Sequence, residues 1–333
     1  MKNNINAYIK GVGYHVPKNI IQNSYFEEFM DTSDQWIKER TGIIERRFAD
    51  ENQGPSDLAI PAVQMALDNS KLSTDDIDFI IFATSTPDYY IPGSGCLIQE
   101  KMNFKNIGAL DIRCQCSGFI YAISIADQYV KSGMYKNILV IGAEVQSTGM
   151  DLSNDGRNTA IIFADGAGAA IISPTNEDKG ILSTHLRTDG RYVKELWLEA
   201  PSSKIKPRLT ESILSEKKQF LKMNGREVFR HAIKLFPEII LEALEHNDLK
   251  VDDINLLIPH QANKRITQAI QKKMNLKDNQ VISNIHKYGN TTAATIPIGL
   301  CEAVMTNKLK KGDILVLAAF GSGFSWGSAI LKW

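Results

Sequence analysis

The chain repeats itself at long range, and this limits its possible folds more than any other feature. Ala66-Leu67 through Leu72 to Asp75-Asp76-Ile77-Asp78-Phe79-Ile80-Ile81 recurs as Ala243-Leu244 through Leu249 to Asp252-Asp253-Ile254-Asn255-Leu256-Leu257-Ile258, at a constant offset of 177 residues. A second echo pairs Asn137-Ile138-Leu139-Val140-Ile141 with Asp313-Ile314-Leu315-Val316-Leu317. Each copy reads as an amphipathic helix feeding a buried strand, so the fold class is α/β with two duplicated halves. Phe79 to Phe82 and Leu315 to Ala319 are apolar on both faces, as central strands covered by helices must be. Ser173-Pro174-Thr175-Asn176-Glu177-Asp178-Lys179-Gly180 is a loop by composition and separates an expected half 1–175 from an expected half 180–333. One stretch, about Arg191 to Lys222, breaks the regularity with Pro201, Pro207 and scattered lysines. It reads as an insertion, either a functional lid or a tolerated surface loop.

Composition excludes several classes. Lysine plus arginine equals aspartate plus glutamate at 38 each, so no overall charge draws the chain to nucleic acid or membrane. No apolar run is long enough to span a bilayer, and Ala7 to Val12 reads as a strand rather than a leader, so a cytoplasmic protein is expected. Four cysteines, at 96, 114, 116 and 301, suit a reducing compartment better than a disulfide framework. Cys114 and Cys116 lack a second pair or a suitably spaced histidine, so a metal site is not expected.

Chemistry concentrates at three strand-to-helix junctions. Asp111-Ile112-Arg113-Cys114-Gln115-Cys116-Ser117-Gly118-Phe119 reads as a buried strand (Ile107 to Ile112) breaking into a helix that opens at Cys116. A thiol in a first helical turn faces unpaired N–H groups and the positive end of the helix dipole, which favours thiolate. Leu257-Ile258-Pro259-His260-Gln261-Ala262-Asn263 ends a strand on a histidine. Tyr288-Gly289-Asn290-Thr291-Thr292-Ala293-Ala294 presents an asparagine from a glycine turn. In open α/β sheets such junctions lie at the carboxyl ends of strands, where ligands bind. Cys116, His260 and Asn290 therefore form a candidate catalytic set.

Cys-Ser-Gly-Phe, Pro-His-Gln-Ala-Asn and Gly-Asn-Thr-Thr-Ala-Ala, in that order, resemble the Cys-His-Asn triad of β-ketoacyl-acyl-carrier-protein synthase III. The resemblance extends to Asp31 through Ile37, Arg40 through Ile43, Phe163 through Ala170 and Ala319 through Ser328, nearly the whole length. It implies a thiolase fold, with two αβαβα halves related by a pseudo-twofold, and a homodimer. The implied reaction condenses an acyl-coenzyme A primer on Cys116 with malonyl-acyl carrier protein, with loss of carbon dioxide, to give a 3-oxoacyl product. It implies no cofactor beyond the coenzyme A thioester and phosphopantetheine carrier that enter as substrates. His260 and Asn290 would stabilise the enolate, and the backbone N–H groups of Cys116 and Ser322 would form the oxyanion hole.

Binding residues follow by the same resemblance. Trp36 and Arg157 match the pair that holds adenine, and Arg40 and Arg265 match positions near the phosphates of coenzyme A. Arg226, Arg230 and Lys234 recur every fourth residue on one helix face and, with Arg265, form the expected docking surface for an acidic carrier. Ile91 stands where many members place an aromatic cap over the primer pocket, reached from the partner subunit. Arg113, Cys114 and Gln115 replace small residues before the nucleophile. With the Arg191 to Lys222 segment, longer than in the housekeeping enzyme, these departures leave room for a longer or branched primer or a specialised-metabolite pathway. An acyltransferase that loads Cys116 and passes the acyl group to a non-malonyl acceptor, an amine or hydroxyl, is the alternative function. A degradative thiolase needs a second cysteine near the C-terminal glycine loop, where this chain has Ser322 and Ser325. Elongating synthases use two histidines.

Overall fold

The strands of the computed structural model, which describes residues 5–333, form two principal sheets built on one plan. The first contains β1 (Asn6–His15), β2 (Phe79–Ala83), β3 (Gly108–Ile112), β4 (Ile138–Glu144) and β5 (Gly166–Thr175), in the order β1-β5-β4-β2-β3. The second contains β6 (Gly180–Thr188), β7 (Ile254–Pro259), β8 (Ile314–Gly321) and β9 (Ser325–Lys332), in the order β6-β9-β8-β7. The two orders superpose, and β3 alone lacks a full partner: a single parallel bridge between Leu257 and Val281 stands in its place.

The repeated acidic pair explains part of this likeness. Helix α1 (Pro55–Ser70) ends at Lys71, and helix α3 (Gly225–His246), numbered after α2 (Gly118–Lys131), ends just before Asp248. Lys71 and Asp248 both take the left-handed conformation, at φ 58° and 56°. Each chain then passes through a short 3₁₀ turn whose second aspartate closes it. Asp76 accepts the N–H of Ser73 at 2.8 Å, and Asp253 accepts that of Lys250 at 2.7 Å. Strands β2 and β7 follow.

Two helices lie between the sheets, α2 and α4 (Thr295–Met305), and their sequences are apolar around most of the circumference because both sides are covered. Phe119, Ile123, Ile296 and Leu300 pack with strand residues of both sheets in one continuous core. Helix α1 covers the outer face of the first sheet and α3 that of the second, giving five αβαβα layers. Among the described residues no helix is long and apolar enough to cross a membrane.

Two expectations need correction. β3 is not a buried strand: it is the edge of its sheet, paired only with β2, and Gly108, Ala109 and Asp111 are exposed. The 191–222 segment is not structureless either. Leu196–Trp197 pairs with Lys222–Met223, Glu211–Ser215 is helical, and Lys217 Nζ reaches Ser153 Oγ at 2.7 Å and Asp155 at 2.9 Å. Such half-exposed ion pairs are each worth at most about 1 kcal/mol, so apolar residues such as buried Leu196 and Ile213 do more to anchor the segment.

Candidate active site

Cys116 is the middle residue of a 3₁₀ turn, Gln115–Ser117, that runs directly into α2. Gln115 sits in the left-handed region at φ 43°, an uncommon conformation for a residue with a Cβ. The end of β8 lies against this turn. A Cβ on Gly321 would fall 2.6 Å from Cys116 Cβ and 2.9 Å from its sulfur, so only glycine allows the strand this close. Ser117 Oγ gives its proton to Cys114 O, so at 2.7 Å Ser325 Oγ donates to Ser117 Oγ and pins the 321–325 turn to the cysteine turn. The backbone N–H groups of Cys116 and Ser322 both approach the sulfur.

The expected thiolate is not what this environment favours. Burial pushes the Cys116 thiol up to about 12, and the nearby Glu144 carboxylate acts in the same direction, against the two N–H groups. In a site this dry, desolvation outweighs one turn of helix dipole. The free enzyme therefore holds a thiol, and iodoacetamide should modify Cys116 about tenfold faster per pH unit from 7 to 9. A plateau below pH 8 would show instead that the helix terminus prevails.

His260 follows β7 and is 1% exposed. Its Nδ1 lies 2.7 Å from Thr295 Oγ1, and that hydroxyl donates its own proton to Thr292 O at 3.0 Å. Thr295 can therefore only accept, which places the imidazole proton on Nδ1. Nε2 carries a lone pair and has no hydrogen-bond partner among the described residues. Burial lowers its pKa to about 3, so the ring is neutral. In the empty site Nε2 is therefore an acceptor, and it can donate only after it has taken a proton. Asn290 is fixed from both sides, through Asn290 N–H to Ile162 O and Ala164 N–H to Asn290 O, each 3.0 Å. Its Oδ1 accepts the N–H of Thr292 at 2.8 Å, which leaves the Nδ2 amide to donate elsewhere.

Two cavities, each of about 480 Å³, meet at the nucleophile. Cys116, His260 and Asn290 line the first, together with Trp36, Arg40, Arg226 and Arg265. Ser85, Thr86, Arg113, Gln115, Gln146 and Ser322 are among the residues lining the second. Cys116, Phe163 and Leu196 belong to both.

Models of 3-oxoacyl-[acyl-carrier-protein (ACP)] synthase III match residues 110–190, and those of its C-terminal part match 244–333. The chain is 46% identical to the β-ketoacyl-[acyl-carrier-protein] synthase III of Clostridioides difficile over 99% of both chains. With that of Fusobacterium nucleatum it shares 43% over 98% of both. The crystal structure of the Aquifex aeolicus 3-oxoacyl-[acyl-carrier-protein] synthase III superposes with a TM-score of 0.90 at 40% identity, covering 98% of this chain and 100% of that one. The chain belongs to this synthase III family. It is a condensing acyltransferase of thiolase fold.

The remaining sequence-derived positions of this synthase III fall in distinct places. Arg40 and Arg157 both lie over the Trp36 ring, with guanidinium carbons 5.1 and 4.9 Å from its centroid. Asn263 Nδ2 donates to Arg40 O at 2.9 Å while its Oδ1 caps the helix that carries Arg265, so the two arginines are held in one frame. Arg230 is exposed and bound to Glu227, and Lys234 is exposed further along α3; neither lines a cavity. Ile91 is 80% exposed and also lines neither cavity. Among the described residues no three His, Cys, Asp or Glu side chains group as a metal site. One residue escaped sequence reasoning. Glu144, fully buried at the end of an apolar strand, gave no signal beyond being a charge inside a hydrophobic run.

Proposed function

We propose that Cys116, His260 and Asn290 carry the synthase III reaction on an acyl-coenzyme A primer and malonyl-acyl carrier protein. The observation that carries this assignment is that Cys116 lines both cavities, so a pantetheine arm entering through one can leave its acyl group in the other. The sulfur attacks the thioester carbonyl while His260 Nε2 takes the thiol proton. The N–H groups of Cys116 and Ser322 hold the oxyanion. The carbon–sulfur bond to coenzyme A breaks, and its thiolate departs as the thiol by taking one proton from solvent, leaving acyl-Cys116. Malonyl carrier then loses carbon dioxide, and the electron pair becomes an enolate. Its oxygen takes hydrogen bonds from Asn290 Nδ2 and from Nε2–H, whose charge the malonyl carboxylate and then the enolate offset. The enolate carbon attacks the acyl carbonyl, the sulfur leaves, and the proton returns from Nε2 to Cys116. This closes the proton balance without a cofactor.

We assign the adenine grip to Trp36 and Arg157, with Arg40 and Arg265 nearer the phosphates. The Trp36–Arg157 stack leaves no room for a purine between its members, so it must open to hold one. Arg226 and Arg265 face the first cavity and are assigned to the carrier arm, with Arg230 and Lys234 as the outer docking charges. We also propose a homodimer in the cytoplasm, with each chain divided near residues 175–180. Edge strand β3 is exposed, as are Tyr89, Tyr90 and Ile91, and together they offer a surface for a second copy.

A primer longer than acetyl is the second reading, and it rests on Ile91 standing where many members place an aromatic cap reached from the partner subunit. Each buried methylene contributes about 0.8 kcal/mol, so kcat/KM should rise several-fold per added carbon until the second cavity is full. Assays from acetyl- to dodecanoyl-coenzyme A measure this, and Ile91→Phe should shorten the preferred chain without lowering the acetyl rate. A preference for acetyl in the wild type would refute the enlarged pocket.

A further inference from the structure

The duplication reaches the active site itself and leaves an altered second copy of it. The turn Thr292–Ala294 leads into α4 as Gln115–Ser117 leads into α2, at the same 177-residue offset. Thr292 even repeats the left-handed backbone of Gln115, at φ 49° against 43°. Ala293 is therefore the counterpart of Cys116. The strand registers extend the match. Ile81 pairs with Val140 and Ile258 with Leu317, one residue on from the sequence echo that set Val140 against Val316, and this places Glu144 at the end of β4 where Gly321 ends β8. By the same register Ala83 stands for His260. At the active copy a glycine leaves space beside the sulfur. At the silent copy a carboxyl fills that space, with Glu144 Oε1 3.5 Å from the N–H of Ala293.

This carboxyl gathers donors from three segments. Glu144 Oε2 accepts from Thr86 Oγ1 at 2.7 Å, Ser85 Oγ at 2.8 Å, the Ser85 N–H at 3.1 Å and Gln146 Nε2 at 3.4 Å. Gln146 Nε2 also reaches Thr292 Oγ1 at 2.9 Å, and the Thr292 N–H holds Asn290 Oδ1. Ser85, Thr86, Gln146 and Thr292 all line the second cavity. We propose that Glu144 is a positioning residue for the condensation: it fastens the 84–86 turn, Gln146 and the 292–294 turn into one wall, fixing the acyl cavity beside Cys116 and the aim of Asn290 Nδ2. It touches no substrate and acts through the residues it holds. Every group that faces it is a donor, so only a carboxylate serves both of its oxygens. A glutamine with its oxygen toward the hydroxyls would turn its NH₂ against the N–H groups of Ser85 and Ala293.

Burial raises the Glu144 carboxyl to about 7, so at pH 8 it is mostly charged and opposes ionisation of Cys116. Its removal therefore has two opposite effects, which a purely structural defect would not produce. Glu144→Gln should lower condensation kcat by about tenfold or more, in the range seen when a supporting hydrogen-bond partner is lost. It should at the same time speed iodoacetamide modification of Cys116 at pH 8 several-fold. The double variant Ser85→Ala/Thr86→Val keeps the charge and loses two tethers, so kcat should fall with no acceleration of alkylation. Turnover within twofold of wild type in either variant overturns the proposal, as does parallel loss of turnover and alkylation in Glu144→Gln. If Glu144→Gln does not fold, the double variant alone decides: undiminished turnover overturns the proposal. The inference rests on Cys116 being the nucleophile. Peptide mapping of the wild-type acyl adduct tests that separately, because an adduct elsewhere removes the parent reading whatever the variants do.

Discussion

Cys116→Ala should lose covalent acyl capture from acyl-coenzyme A and with it more than about 10³-fold of turnover, as expected when a nucleophile is removed. Cys114→Ala should keep both. Thiol acidity does not separate the two cysteines, since burial raises the pKa of each. Geometry does. Cys116 lines both cavities and has the N–H groups of Ser322 and of its own residue at the sulfur. Cys114 lines neither, and its carbonyl serves only to hold Ser117, accepting the Ser117 N–H at 3.1 Å and Ser117 Oγ at 2.9 Å. Intact-protein mass spectrometry after mixing with acyl-coenzyme A reads the result directly. An adduct that survives Cys116→Ala, or disappears in Cys114→Ala, would reverse the assignment.

The duplicated fold was legible because the repeated segment contains its own instructions. Ala-Leu helix, αL residue, Asp-closed turn and apolar strand are all local features, and they recur with the same spacing. The junction residues were legible for a related reason, since Cys116 and His260 follow strands and Asn290, presented by a glycine turn, leads into the apolar helix α4. What stayed hidden depends on contacts across the chain. Ile-Gly-Ala-Leu-Asp-Ile reads the same for a central or an edge strand, so the exposure of β3 could only come from its neighbours. The sign of the Cys116 shift depends on complete burial and on Glu144, which arrives from a different strand. The His260 tautomer depends on where Thr295 sends its proton, 35 residues away. The ribbon between Leu196–Trp197 and Lys222–Met223 is too short to leave a periodic trace.

Asn290→Ala should separate the two half-reactions of the enzyme. Removal of an oxyanion donor typically lowers a rate by about 10²–10³-fold, and Asn290 Nδ2 is a donor with no partner of its own among the described residues, while Oδ1 is held by Thr292. Release of carbon dioxide from malonyl-acyl carrier protein should fall by about that factor. Capture of the primer on Cys116 should fall far less, because its oxyanion is served by backbone N–H groups that the substitution leaves in place. His260→Ala should damage decarboxylation as strongly. It should also slow acylation by a smaller factor, since Nε2 is the acceptor for the thiol proton in the empty site. The difference between these variants follows from the tautomer: one residue gives a hydrogen bond in the second step only, and the other first takes a proton and then gives it. Single-turnover acylation and radiolabelled carbon dioxide release, measured on the same preparations, provide both numbers. Equal loss of the two steps in Asn290→Ala would show that the residue supports the turn rather than the enolate.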